Sequence, residues 1–378
     1  MTTSPRYSII TVGYSRNQIS NLWKSFKKQK FPTSWEWIII VESDADLTHL
    51  TKRLQPALNV SPNIMLFSMK DPSPENTKAE RILYAVTKSS GNFLVIFNSD
   101  IAFNQGAFEY LENIAGDVDN RNDLTVIGPY ETEPPIYAPD HFWPDLHIWK
   151  RNSFLNLQGY NKTLTIGLHY EVLCRAYIAG YKISYHNWGP IKSFITKKSD
   201  ELIATHRAIA HQMFSELIRQ EANRKKLKIG TIVIPEHSDK KFEDDVLLIT
   251  YSNGILTCEG DYLADGSFGI IQAADFLNYL SRDEILPFWE KVWNLLAPHG
   301  WFVSATPDGA GMGAFADPRN RSYWNKFSFS LFCLTKDSPF NLGLSGPFEH
   351  NRVYTDFPSP WHRENDFSYV HADLRKLP

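Results

Sequence analysis

Two hydrophobic periods alternate along the first half of the chain. Residues 7–12 (YSIITV), 35–41 (WEWIIIV) and 92–97 (NFLVIF) are short, almost unbroken apolar runs. Such runs predict strands covered on both faces, as in a parallel sheet. Between them, residues 17–29 set Ile19, Leu22, Trp23 and Phe26 at helical spacing. Residues 76–89 predict a further helix, which Gly91 is placed to close as a C-cap. Strand and helix in alternation give the βαβ rhythm, with residues 92–97 expected at the sheet centre.

Residues 128–145 (GPYETEPPIYAPDHFWPD) break this rhythm with proline, acid and aromatic side chains. They read as a loop, either a substrate lid or a structural insertion. A long helix is predicted over 199–227, its apolar face marked by Leu202, Ile203, Ile209, Met213, Phe214, Leu217 and Ile218. Beyond its basic end the pattern restarts. Strands are expected over 227–233, 246–250 and 269–273, then a helix over 281–296, a turn at 297–300 and a strand over 301–305. The expected organisation is one α/β domain over 1–195, a helical linker over 196–226 and a second α/β domain over 227–378.

At 378 residues, two domains are the natural expectation. A hydrophobic share of 43% argues against disorder, and a net charge of -3 against a general phosphate-neutralising surface. Cys174, Cys258 and Cys333 stand far apart, which speaks against a disulfide framework or a zinc knuckle. The polar start and the absence of a bilayer-length apolar run lead to the expectation of a soluble, cytoplasmic protein.

Candidate chemistry begins at Asn98-Ser99-Asp100, directly after the apolar run 92–97. A carboxylate at the end of a strand faces the crevice where open α/β sheets bind ligands. Its oxygens suit Mg²⁺ or Mn²⁺, although an aspartate there can equally cap a following helix. Four segments around it, in order, resemble the family-2 glycosyltransferases of the GT-A fold: YSIITVGYSR, WEWIIIVESDAD, SGNFLVIFNSDIAF and the stretch from WKRNSFLNLQGY to GYKISYHNWG. Together they cover roughly residues 6–190.

The resemblance implies a nucleotide-sugar donor, such as a UDP-sugar, and a divalent metal. Gly13, Tyr14, Glu42 and Asp44 would meet the nucleotide, with Asn98 in place of the first aspartate of the metal motif. Asp100 would be the main metal ligand and His186 would approach the metal or diphosphate. Lys78 and Arg81 could assist the diphosphate or form a solvated helix face. The family's Glu-Asp pair ahead of Arg175 falls on Leu168-His169, so the usual base is missing. Three readings stay open: His169 as base, Glu171 as base, or transfer with retention and no enzymic base.

From Leu227 on, the chain resembles class I S-adenosylmethionine-dependent methyltransferases, through LKIGTIVI, DGSFGIIQAADFLNYL, EILPFWEKVWNLLAPHGWFVSATPDG and GAFADPRNRSYWNKFSF. The resemblance implies a Rossmann-like α/β domain with its cofactor loop degraded. Gly230 stands alone and Ile232 occupies a glycine position, where its side chain is expected to fill the pocket. Gly269, Asn278-Tyr279 and Asn320 replace the family's acidic residue, Glu-His pair and His. S-adenosylmethionine binding is therefore not expected, and Asp275 is expected to be structural. The overall expectation is a glycosyltransferase acting on a hydroxyl of a glycan, protein, metabolite or modified nucleobase, with no transmembrane segment and oligomeric state open. The rivals are a bifunctional transferase and a non-catalytic binding protein built from two decayed enzymes.

Overall fold

The computed structural model describes residues 5–12, 16–26, 35–41, 43–59, 63–69, 78–98, 101–120, 123–128, 146–162, 164, 168–187, 189, 191–193, 200–233, 246–252, 255–258, 261–333 and 344–377. They form two compact units that divide within one helix, between Phe214 and Ser215.

In chain order the first unit comprises β1 (Tyr7–Val12), α1 (Arg16–Phe26), β2 (Trp35–Val41), α2 (Asp44–Leu58), β3 (Ile64–Ser68), α3 (Lys78–Lys88), β4 (Phe93–Asn98) and β5 (Ile101–Phe103). It continues with α4 (Ala107–Asn120), β6 (Leu124–Gly128), β7 (Leu146–Lys150), α5 (Arg151–Asn156), α6 (Leu168–Ile178), β8 (Ile183–Asn187) and β9 (Ile191–Ser193). The helix α7 (Asp200–Arg224), read from the sequence as the linker, is shared between the units.

Seven strands form a sheet in the order β3-β2-β1-β4-β7-β6-β8, while β5 and β9 pair separately. β4 lies parallel to β1 but antiparallel to β7. The expectation of a wholly parallel surrounding for residues 92–97 is thus corrected. An apolar run covered on both faces looks the same whichever way its neighbour runs.

Strand alternation divides the core into two layers. Tyr7, Trp35, Trp37, Val95 and Ile148 face α1, α2 and α4, whereas Ile10, Ile38, Ile96 and Trp149 face α3, α5 and α6. In the first layer Trp37 stacks on Phe26 at 4.2 Å and Trp35 on Tyr7 at 4.2 Å. Gly91 is not a left-handed cap. A Cβ there would lie 2.5 Å from Ser8 Oγ and 2.7 Å from Ser8 N. Its lack of a side chain serves the close approach of the α3–β4 connection to β1.

The second unit comprises β10 (Lys228–Val233), β11 (Val246–Ser252), β12 (Ile255–Cys258), β13 (Asp261–Tyr262), β14 (Phe268–Ala274), α8 (Arg282–Leu295) and β15 (Leu296–Pro307). It ends with α9 (Gly313–Ala316), α10 (Lys326–Ser330), β16 (Phe348–Asp356), α11 (Pro360–Glu364) and β17 (Tyr369–Lys376). The sheet order is β13-β12-β11-β10-β14-β15-β17-β16, parallel from β11 to β15 and antiparallel outside. The turn expected at 297–300 is instead an irregularity inside β15. Register jumps from Phe268↔Leu296 to Ile270↔Trp301, and His299 takes φ 65.

Gly230 and Gly269 owe their identity to packing. A Cβ on Gly230 would meet Ile249 Cδ1 at 2.4 Å, and one on Gly269 would meet Ala222 Cβ at 2.7 Å. Ile232, expected to fill a pocket, is 0% exposed and belongs to the core of the unit with Ile249 and Phe268.

Candidate active site at the carboxyl edge of the first sheet

Chain order reverses between β1 and β4. From β1 the sheet proceeds through β2 to β3 on one side, while β4 lies on the other. Beyond the carboxyl ends of two such strands lies the ligand crevice of open α/β sheets. The last residues of the two strands are register partners, Val12↔Asn98. The strands that precede the sequence motifs Gly13-Tyr14 and Ser99-Asp100 therefore end at neighbouring positions. Gly13, Tyr14, Glu42, Ser99 and Asp100 themselves, and the side chain of Asn98, lie outside the described residues.

Asp44 begins α2, where a carboxylate complements the helix dipole. It accepts a hydrogen bond from the hydroxyl of Ser68, the last residue of β3. Ser43 Oγ accepts from Asp46 N at 3.1 Å, completing the turn into the helix. Arg81 sits half-buried in the first turn of α3. His186 lies on β8, paired with Ile127 of β6. Since β7 and β6 intervene, β8 stands three strand spacings, about 14 Å, from β4.

The same edge holds a polar chain that the sequence reading had not assembled. β7 runs antiparallel, so its first residues lie beside the end of β4, and His147 pairs with Ile96. His147 is completely buried. Tyr160, 1% exposed, places its hydroxyl 3.3 Å from His147 Nδ1 and 3.2 Å from His169 Nδ1. His169, in the first turn of α6, is in turn 3.2 Å from Lys78 Nζ through Nε2.

Proton positions follow from donor capacity. A lysine ammonium only donates, so Nε2 of His169 accepts and its Nδ1 carries the proton. That proton goes to the Tyr160 oxygen, whose own proton goes to His147 Nδ1. His147 Nε2–H then has no partner, and this atom is among the buried polar atoms left unsatisfied. Burial, reinforced by the Lys78 charge, pushes His147 down to about 3. Desolvation drives the Tyr160 phenol far above its ordinary value. Both groups are held neutral.

Glu171 is 5% exposed and both its oxygens are engaged by Arg175, at 2.6 Å from Nε and 2.8 Å from Nη2. The same guanidinium donates to the Leu157 and Gly159 carbonyls. Arg175 thus fastens α6 to the turn after α5, with Glu171 orienting its guanidinium. Among the described residues, no group of three or more His, Cys, Asp or Glu gathers to hold a metal ion. A hard divalent ion bound by one or two carboxylates and substrate phosphates requires no such cage, and the oxygen donors of Asn98-Ser99-Asp100 fit that chemistry. No helix among the described residues is long and apolar enough to cross a membrane.

No protein-family model matches the chain. No curated protein matches it either. Several solved structures resemble it. A mannosyltransferase from Pyrobaculum calidifontis, in complex with GDP-Man and Mn2+, is 15% identical with a TM-score of 0.46, covering 58% of this chain and 65% of that one. The chain thus spans slightly less than two thirds of that protein's length. TarS from S. aureus, in complex with UDP-GlcNAc, is 16% identical with a TM-score of 0.40, covering 58% and 73%. GalNAc-T7, solved with UDP, GalNAc and Mn2+, is 13% identical with a TM-score of 0.40, covering 49% and 43%.

Proposed function

We propose that the first unit transfers a sugar from a nucleotide diphosphate to an acceptor hydroxyl at the carboxyl edge of its sheet. The observation that carries this reading is the pairing Val12↔Asn98 at the reversal of strand order. It brings the exits of the two motif-bearing strands side by side. The ordered resemblance of four sequence segments to family-2 glycosyltransferases supports the chemistry.

In this reading Tyr14 and Glu42 hold the nucleoside, with Asp44 at the rim. Asp100 and Asn98 would hold Mg²⁺ or Mn²⁺, with His186 a further candidate. The ion, when bound, supplies charge neutralisation of the diphosphate. The acceptor oxygen attacks the anomeric carbon as the bond from that carbon to the diphosphate oxygen breaks, and the nucleoside diphosphate leaves with the electron pair. The acceptor proton passes to Nε2 of His169.

That nitrogen is occupied by Lys78 in the structure, 3.2 Å away. A diphosphate is a stronger partner for an ammonium than a neutral imidazole is. Donor binding therefore draws Lys78 to the phosphates and uncovers the lone pair of His169. Tyr160, held by its hydrogen bond to His147, keeps the His169 proton on Nδ1. The base thus becomes competent only after the donor is in place.

The direct test is UDP binding by calorimetry with and without Mn²⁺, in the natural chain and in Asp100→Ala. Mn²⁺ is expected to tighten UDP about tenfold or more, and the substitution to abolish that gain while leaving the melting temperature unchanged. UDP affinity indifferent to Asp100 would remove the assignment.

A further inference from the structure

The second unit contains its own crevice, of ≈ 520 Å³, within the size range of small-molecule sites. It opens at the carboxyl ends of β10, β14 and β15. Strand order reverses here too, since β11 lies on one side of β10 and β14 on the other. Ile232, Asp275, Asn278, Tyr279 and Asn320, singled out separately in the sequence, all line it.

Its polar groups are fixed in advance. Asn278, 4% exposed, donates from Nδ2 to Asn320 Oδ1 at 2.5 Å and accepts from Thr306 Oγ1 at 3.3 Å. Tyr279 donates to Asp317 Oδ2 at 3.0 Å. Arg319 binds the same carboxylate from Nε at 3.0 Å and from Nη2 at 2.8 Å, with its guanidinium 5.4 Å from the Tyr279 ring centroid. On β17, beside β15, burial, reinforced by the charge of the Asp275 carboxylate and a hydrogen bond to it, pushes the Tyr369 phenol up to about 12.

Charge decides what such a site can hold. Among the described lining residues Arg319 is the one cation and is matched by Asp317, and Asp275 adds a further negative charge. A phosphorylated ligand would meet carboxylates with no cation in excess. A neutral ligand rich in hydroxyls would find acceptors in the Asn320 amide oxygen and the Tyr279 phenol oxygen, while both oxygens of Asp317 are already filled by Arg319 and Tyr279.

The rim is aromatic. Phe367 lines the crevice and packs on Gly313, where a Cβ would lie 3.0 Å from its ring. Trp361, 56% exposed, sits 5.3 Å from Phe367 by ring centroid. Phe315 on α9 stacks on Tyr323 at 4.8 Å, and both are more than half exposed. Exposed aromatic groups beside a concave polar site mark an interaction surface. A pyranose combines a hydroxyl-bearing edge with an apolar face of C–H groups, and so matches both features.

We propose that this crevice binds a neutral carbohydrate, its hydroxyls read by Asn320 and by Tyr279, which Asp317 and Arg319 hold in place, and its apolar face laid on the aromatic rim. This site does not depend on the transferase reading of the first unit.

Saturation-transfer NMR on the full chain tests it, using trisaccharides ending in glucose, galactose or N-acetylglucosamine, alongside adenosine and S-adenosylmethionine, each at about 1 mM. Transfer is expected to the ring protons of at least one sugar. Its affinity should fall about tenfold in Tyr279→Phe and in Arg319→Ala, with unchanged melting temperature and unchanged UDP binding. Silence from all three sugars, transfer that survives both substitutions, or displacement of the sugar by adenosine or S-adenosylmethionine would overturn the proposal. Loss of UDP binding with sugar binding intact would count against the first unit's reading alone.

Discussion

The Lys78 ammonium donates and cannot accept, and that single property orders the protons from His169 through Tyr160 to His147. Two predictions belong to these residues. First, His147 is neutral when folded and ordinary when unfolded, its value lowered from 6.5 to about 3. The unfolded chain then binds the extra proton, so the contribution is fully present above the unfolded value. It is lost progressively as pH falls from there towards about 3. Between pH 7 and pH 5 the natural protein should lose about 2 kcal/mol more stability than His147→Phe. Urea denaturation of both at the two pH values measures the difference. Second, His169→Asn should lower turnover about a hundredfold or more while donor affinity stays within about twofold. Single-turnover transfer and UDP calorimetry separate the two effects, and unchanged turnover would exclude His169 as the base.

At the scale of elements, the amino edge of the first sheet is fastened by a side chain remote from the chemistry. Glu36, 7% exposed on β2, accepts from Ser8 Oγ at 2.5 Å and from Ser90 N at 2.5 Å. It also accepts from Ser90 Oγ at 3.0 Å and Gly91 N at 3.1 Å. One carboxylate thus joins β1, β2 and the α3–β4 connection. Glu36→Ala would leave several buried or half-buried donors without their acceptor, at a cost of about 3 kcal/mol. The unfolding transition of the first unit, followed by tryptophan fluorescence, should shift accordingly, while UDP affinity of the folded protein remains unchanged. The strands YSIITV and WEWIIIV were legible because an apolar run needs only local sequence to be recognised. β7, LHIWK, was not, because it follows a long proline-rich stretch and carries no turn signal that ties it to β4.

Over the whole molecule, the sequence determined the strands with unbroken apolar runs, the helices with a clear apolar face and where the motif-bearing strands would end. Backbone hydrogen bonding and side-chain alternation have short periods, and an apolar pattern of that period is written into consecutive residues. Tertiary structure alone decided which distant segments met. It inserted β7 antiparallel between β4 and β6, bound Arg175 to the Leu157 and Gly159 carbonyls, and joined Lys78 to His169 across 91 residues. In the second unit it buried Arg352 against Asp373 at 2.6 Å, packed Ile232 into the core and left a crevice beside it. Such meetings depend on the path of the chain and on the burial of each group, and neither quantity is a property of a residue's sequence neighbours.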